Sequence, residues 1–371
     1  LVAMQIDVSD LNDLEVLRIL LCDLENLNDL DVLRFQEVGG VVKLEGGYSE
    51  KILYRVVSGD NSWIVMLLGS ERHEVVCSKM STSELDDFLS IGMFLRDVGI
   101  RVPEILGCSS NFSALLMEDI GDETLSDLVP KLNCLKRQHF YTESLKVVLK
   151  MLVASKEFME RGFPASQRMM NSEVLAKEMN SFKEYVPRVL ASTFTNHEAN
   201  RFQDLFRSLA NKTCSDDFYF VHRDFHSKNL HIFNDSICVI DFQDACLGGV
   251  YYDAASLIYD VFVELDEEFR EHCISFFIAQ LRASGLFNES ASSMRRTFKL
   301  QALQRLFKAA GAHARLALDA KTQHEHAFQV RCTCAAVRSI GSISNEFNEL
   351  VWVRDLALRV LRSNPKLSEC P

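Results

Sequence analysis

The spacing of apolar residues changes character twice along the chain. Between residues 8 and 35 leucines fall at 11, 14, 17 and 20 and again at 24, 27, 30 and 33, and LNDLEVLR (Leu11–Arg18) returns as LNDLDVLR (Leu27–Arg34). That spacing predicts one or two amphipathic helices with acidic outer faces, used for packing or oligomerisation. Two copies are too few for a solenoid. From about residue 36 the runs shorten. VVKLEGG, KILYRVVSG and, past the turn GDNS, SWIVMLLG predict a three-stranded meander. TSELDDFLSIGMFLRDVG then has helical spacing, with Thr82 or Ser83 as its cap and Gly99 as its stop, before VPEILG and ALLMEDIG resume the sheet. The expectation is a five-stranded antiparallel sheet with one helix.

After residue 120 the period becomes helical. YTESLKVVLKMLVASKEFME, YDAASLIYDVFVEL, EEFREHCISFFIAQLRAS and TFKLQALQRLFKAAGAHARLAL all carry apolar faces, and one predicted hairpin, residues 230–241, interrupts them. This is an α+β plan of two lobes. A leucine-rich acidic extension (1–25) precedes a β-rich lobe (26–120) and a larger helical lobe (121–371). Ligand clefts commonly lie between such units.

Composition narrows the function. The 371 residues include only 16 Gly and 6 Pro, which favours helix over a turn-rich β fold. A formal charge of −12 argues against a nucleic-acid or anionic-membrane surface, so a phosphate-bearing ligand needs a local pocket of specific basic residues. No apolar run approaches the roughly 18 residues of a membrane span. The acidic N-terminus does not read as a signal peptide. Eleven scattered cysteines with no CxxC pair read as free thiols of a reducing cytoplasm, and the lone CxC of Cys332 and Cys334 completes no zinc site.

The chemistry gathers in VHRDFHSKNLHIFNDSICVIDFQDA, residues 221–245. Carboxylates brought together repel, so the cluster needs a cation or a catalytic task to compensate. His222-x-Asp224-x-x-x-x-Asn229 has the spacing of kinase catalytic loops, in which the aspartate accepts the proton of the attacking hydroxyl. Asn229 offers a hard amide oxygen to Mg²⁺. LHIF, the turn NDS and ICVI then return the chain to Asp241, whose carboxylate can bridge Mg²⁺ to nucleotide phosphates.

HRDFHSKN and IDFQDACLGGVYYDAASLIYD resemble the aminoglycoside phosphotransferase superfamily, whose fold is that of protein kinases. DFQDA and the later LQRLFKAAGAHARLAL are similar, more narrowly, to the bacterial anomeric cell-wall sugar kinases. VGIRVPEILG and LLMEDIGDETL also look like family segments, and the resemblance runs from about residue 26 to 320. It implies ATP- and Mg²⁺-dependent transfer to the anomeric hydroxyl of N-acetylmuramate or N-acetylglucosamine in cell-wall recycling. Within the superfamily, an amino-alcohol, a homoserine-like acid or an aminoglycoside is the alternative acceptor. A non-catalytic nucleotide-binding interaction protein is the further one.

The resemblance also assigns residues. Asp224 is the general base, His222 and Arg223 hold its loop, Asn229 and Asp241 are the Mg²⁺ ligands, and backbone groups of Glu118, Asp119 and Ile120 meet the adenine. Asp253 braces the catalytic loop or caps its own helix. The phosphate loop matches GGYSEKILYR, with Ser49, Lys51 and Arg55 as its retained polar and basic positions and Gly47 where the family is acidic. Met66 stands where a protein kinase carries its clamping lysine. Lys51 substitutes for it, or is a solvated strand charge. For the acceptor, His226 faces the cleft or braces the loop, and Gln243 and Asp244 hydrogen-bond the sugar. Gln304, Arg305 and Lys308 share a helical stripe on which Arg305 binds a carboxylate such as a lactyl group, or forms a surface pair. The HEH of His324–His326 lacks metal-site spacing and reads as solvated helix.

Overall fold

A computed structural model describes residues 40–44, 52–67, 82–109, 114–214, 217–285, 287 and 289–362. The leucine repeat of residues 8–35, Gly47, Ser49, Lys51 and the residue before the helix at Thr82 lie outside the described residues. The chain falls into two compact units. One comprises residues up to Asp122 with Ile232–Gln243; the other comprises Glu123–His231 and residues from Asp244 onward. The segment 232–243, placed by sequence among helices, thus groups with the first unit.

The first unit is built on strands β1 (Gly40–Leu44), β2 (Ile52–Ser58), β3 (Asn61–Leu67), β4 (Ile105–Ser109) and β5 (Ala114–Glu118) with helix α1 (Thr82–Asp97). The sheet order is β1-β2-β3-β5-β4, and every pair is antiparallel. Alternation in β2 sends Tyr54 and Val56 inward and leaves Arg55 at the edge of solvent, as a half-buried strand requires. The Gly59-Asp60 loop joins β2 to β3, with Gly59 at φ +58°. Helix α1 buries Phe88, Ile91, Phe94 and Leu95. It stops at Gly99, as its sequence predicts: at φ +74° the Gly99 N–H reaches the Arg96 carbonyl (2.9 Å) and the Ile100 N–H reaches that of Leu95 (2.8 Å).

The second unit is mostly helical. In order it holds α2 (Leu125–Leu128), α3 (Cys134–Val153), α4 (Ser155–Glu160), α5 (Ser172–Val189), α6 (Asn196–Thr213) and strand β6 (Tyr219–Val221). The hairpin β7 (Leu230–Phe233) and β8 (Ser236–Val239) carries the chain into the first unit, and strand β9 (Cys246–Gly248) returns to pair with β6. Helices α7 (Tyr252–Ile258), α8 (Glu267–Ala283), α9 (Ala291–Asp319), α10 (Gln323–Ser344) and α11 (Val351–Arg362) complete it. Asn234 and Asp235, both at positive φ (50° and 57°), make the two-residue turn that matches strand twist. Asn133, Asn171, Thr195, Asp266, Ser290 and Thr322 each cap a helix by accepting a backbone N–H three residues on. The exposed HEH segment is the first turn of α10, and its Glu325 closes a capping box with Thr322.

Helix prediction overran in one place. YDAASLIYDVFVEL is helical only to Ile258, because Asp260 turns its carboxylate onto the Phe262 N–H (2.7 Å) and the Ser227 N–H (2.7 Å) instead of continuing the turn. Among the described residues no helix is long and apolar enough to cross a membrane, and the seven described cysteines are free thiols.

The long helix α9 is the spine of this unit and packs on α10, α5, α6 and α7. Phe182, Phe202, Phe206 and Phe307 interlock where α5, α6 and α9 meet, with Phe182 and Phe307 edge to face at 4.8 Å. Gly311 permits the closest approach: a Cβ there would lie 2.2 Å from Ser181 Oγ and 2.5 Å from the Phe182 backbone nitrogen. The obstacle includes backbone, so it cannot swing aside. Gly311→Ala is expected to destabilise the protein by about 1–3 kcal/mol, the usual cost of overpacking. Urea unfolding checks this, and an unchanged midpoint would mean that α5 and α9 part freely.

Candidate active site

The loop 222–229 leaves β6 and is fixed at both ends by buried carboxylates. Asp253, on α7, accepts the backbone N–H of His222 (2.6 Å) and of Arg223 (3.0 Å). The α7 cap position belongs to Tyr251, so of the two roles open to Asp253 from sequence the structure has the brace. Arg223 sits at φ +79°, a conformation a non-glycine residue keeps only when its surroundings impose it. At the far end Asp260 holds Ser227. Burial raises the Asp253 carboxyl above its ordinary range and pushes that of Asp260 up to about 6. In between, the Asp224 carbonyl accepts the His226 N–H (3.1 Å) and the Asn229 Nδ2 (2.9 Å), and the Asn229 N–H returns to the His226 carbonyl (2.9 Å). The loop is a closed knot of its own hydrogen bonds.

The Asp224 side chain remains 37% exposed, and its Oδ1 lies 3.4 Å from Lys308 Nζ and 3.8 Å from Arg305 Nη2. Burial by itself raises this carboxyl; the attraction of Lys308, then Arg305, then His226 outweighs it and holds the group well below the usual carboxylate range. Both cations come from α9 and are held in turn. Arg305, buried, donates to Tyr252 Oη (2.6 Å) and Ser256 Oγ (2.8 Å), with its guanidinium 4.5 Å over the Tyr252 ring. Lys308 reaches Tyr252 Oη (3.2 Å) and Glu178 Oε1 (3.5 Å). Glu178, from α5, also meets Arg223 Nη2 at 3.4 Å and Gln304 Nε2 at 3.3 Å. Three cations (Arg223, Arg305, Lys308) thus interleave with the carboxylates of Asp224 and Glu178 around the loop.

The sequence placed Gln304, Arg305 and Lys308 on one polar stripe, and the structure brings all three to this cluster, with Arg305 and Gln304 buried. Glu178, Tyr252 and Asp260 were not singled out. For Asp260 the available signal was an acidic residue inside an apolar stretch, which in a folded chain needs partners. Asp244 is exposed and 3.9 Å from Arg223 Nη1.

In the first unit Asp241 takes φ +61°, and its Oδ1 accepts Gln243 Nε2 at 2.8 Å. The next residue anchors the turn: the buried Phe242 ring packs on Phe88 (4.7 Å between centroids) and against Gly92, where a Cβ would come within 3.3 Å of it. The Val239 N–H to the Arg101 carbonyl (2.9 Å) ties the returning strand down as well. At the end of β5, Glu118 pairs with Arg101 and accepts the Glu104 N–H (3.1 Å), while Ile120 is buried. Arg55, read from sequence as a basic position of the phosphate loop, is instead bound by two carboxylates. It donates to Asp119 (2.6 and 3.0 Å) and Asp122 (2.9 and 2.8 Å), and its pKa is raised by both.

Among the described residues no three or more His, Cys, Asp or Glu side chains are grouped to hold a metal. Asn229, in the second unit, and Asp241, in the first, each carry an oxygen of the kind that suits a hard cation. The Asn229 amide nitrogen is turned to the Asp224 carbonyl, so the side chain presents oxygen, and Mg²⁺ takes only one or two protein ligands beside phosphates and water.

Residues 40–284 match the family model described as "Phosphotransferase enzyme family". The chain is 28% identical over 220 residues to an N-acetylmuramate/N-acetylglucosamine kinase of Neisseria meningitidis serogroup B, covering 58% of this chain and 64% of that protein. It is 27% identical over 231 residues to the kinase of the same name from Pseudomonas putida, covering 62% of this chain and 65% of that one. The matches therefore span just under two thirds of these relatives. Among solved structures it is similar to a choline kinase from Cryptosporidium parvum (TM-score 0.59, 14% identity, 93% of this chain and 100% of that one). It is also similar to a microcompartment-associated aminopropanol kinase (TM-score 0.56, 14% identity, 91% and 100%). The protein-kinase-like fold expected from sequence is the fold found.

Asp260 gives this site a pH signature. Between about pH 4 and 6 the folded protein keeps a proton on Asp260 that the unfolded chain has released, so stability falls as pH rises through that window and levels off above it. Asp260→Asn is expected to remove this slope, worth on the order of 1–3 kcal/mol. The check is urea unfolding of both proteins at pH 4.5 and 7; parallel losses in the two proteins would rule the assignment out.

Proposed function

Because the chain belongs to the phosphotransferase enzyme family, we propose that it transfers the γ-phosphoryl group of ATP to the anomeric hydroxyl of N-acetylmuramate or N-acetylglucosamine, the sugars named in its relatives. The observation that carries the reading is the Asp224 carboxylate, held ionised by Lys308 and Arg305 on a loop braced at both ends.

Asp224 accepts a hydrogen bond from the sugar hydroxyl and points the oxygen along the line of attack. A carboxylate held this acidic is a weak base, so its first task is orientation. It takes the proton late, once bonding to phosphorus has made the oxygen acidic, as a loose phosphoryl transition state allows. An anomeric hydroxyl is more acidic than an ordinary alcohol, which suits such a base. Lys308 and Arg305 keep Asp224 from protonating, and their positive charges favour the developing negative charge of the phosphoryl group. Asn229 and Asp241 are assigned as the metal donors. Mg²⁺, when bound with the nucleotide, supplies charge neutralisation at the phosphates. Backbone groups of Glu118, Asp119 and Ile120 are assigned to the adenine, and His226, Gln243 and Asp244 to the acceptor. Arg305, its fork already engaged by Tyr252 and Ser256, acts on Asp224 rather than on a sugar carboxylate.

Incubation with ATP, Mg²⁺ and each sugar is expected to yield a sugar 1-phosphate identified by ³¹P NMR; no phosphorylated product from either sugar counts against the proposal. Asp224→Asn should lower turnover by roughly 10²–10⁴-fold while leaving ATP affinity largely intact. Near-native turnover in steady-state assays would remove Asp224 from the role of base. Asp241→Ala should abolish Mg²⁺-dependent nucleotide binding measured by calorimetry.

A further inference from the structure

Lys228 carries a charge that this mechanism does not use. It lies in the catalytic loop, immediately before Asn229, and is exposed. Among the described residues it forms no ion pair; its ammonium rests instead 4.7 Å from the Phe262 ring centre and 4.2 Å from that of Phe328. The two rings are parallel within 6°, with centroids 6.1 Å apart. His226 and His313 pack edgewise on Phe262 at 5.0 and 5.4 Å. Asp260, the carboxylate that feels Lys228, is occupied by two backbone N–H groups.

We infer that Lys228, seated on Phe262 and Phe328, is the subsite that receives the carboxylate of an anionic N-acylated amino sugar, so that the acceptor is the carboxylate-bearing N-acetylmuramate in preference to uncharged N-acetylglucosamine. The inference rests on the reading of Asp224 as the group that addresses the sugar hydroxyl. Four observations carry it. A lysine stacked on two phenyl faces has already lost much of its side-chain freedom, so an anion that binds it orders little more. The hydrogen-bonded knot from Asp224 to Asn229 holds Lys228 on the same loop as the base, and His226 links the two, bearing on the Asp224 charge and packing on Phe262. Half-buried phenyl faces beside that ammonium give the apolar C–H face of a sugar ring a surface to lie on. In a chain of net charge −12, a cation fixed on two rings in the loop of the catalytic aspartate is a selective feature for an anion rather than part of a general basic surface.

The experiment measures calorimetric dissociation constants of the full chain for both sugars, in wild type, Lys228→Met and Lys228→Arg, alongside phosphoryl transfer to each sugar. The wild type is expected to favour the carboxylated sugar. Lys228→Met should cut that preference by roughly tenfold, the worth of one charge-assisted hydrogen bond, and Lys228→Arg should keep most of it. Transfer with a preference untouched by Lys228→Met overturns the subsite and leaves the proposed function standing. A preference that collapses in Lys228→Met without transfer to either sugar supports the subsite and removes the proposed function. A wild type that binds neither sugar overturns both.

Discussion

The loop 222–229 is organised around one electrostatic constraint: a partly buried carboxylate, Asp224, kept ionised by two cations on a single helix. Burial favours the protonated acid, and Lys308 and Arg305 reverse that preference. Cations drawn into a protein interior need partners of their own. Arg305 finds them in Tyr252 and Ser256, Lys308 in Tyr252 and Glu178, and Glu178 in Arg223 and Gln304. The result is a network of alternating charges that reaches from Asp224 into the helical core. It explains why α9 is pressed so closely on α5 that only glycine fits at position 311. The same two helices supply Glu178, Gln304 and Lys308, and a wider spacing would part the Glu178 contacts with Lys308 (3.5 Å) and Gln304 (3.3 Å).

The loop itself has almost no regular structure to hold it, and strain at Arg223 works against it. Asp253 and Asp260 substitute for secondary structure by accepting backbone N–H groups at either end. Their burial has a cost, visible in carboxyls pushed upward, and each is worth keeping ionised only because two donors point at it. Asp224 and its braces thus obey the same rule with opposite outcomes. Where Lys308 and Arg305 crowd the carboxylate the pKa falls; where N–H groups hold it and cations act more weakly, burial prevails.

Most of the secondary structure was legible because period is a local property. The five strands, α1 with its glycine stop and the two-residue hairpin turn all follow from spacing and a few special residues. Asp224 and Asn229 were legible as members of one loop from their separation in sequence, and Asp241 as the residue that follows a short apolar strand. Glu178 was not: it reaches the loop from a helix over forty residues earlier in the chain, and nothing local distinguishes it from a solvated glutamate. Asp260 was hidden by the helical period of its neighbours, which continues past the point where the carboxylate ends the helix. Arg55 misled for a related reason. Its position next to a candidate phosphate loop was visible in sequence, but its capture by Asp119 and Asp122 depends on a sheet register that brings β2 and the end of β5 together.

The same reasoning separates two cations that look alike in sequence. Arg305 was the candidate for an acceptor carboxylate because a guanidinium fork matches one. Folding buries it and spends both terminal nitrogens on hydroxyls, so an incoming carboxylate would have to displace bonds at 2.6 and 2.8 Å inside the protein. Lys228 was an unremarked loop residue. It stays in water, where its charge costs little, and two phenyl faces fix its position without neutralising it. A binding cation must be placed in advance and still have something to gain from its ligand. Of these two, only Lys228 meets both conditions.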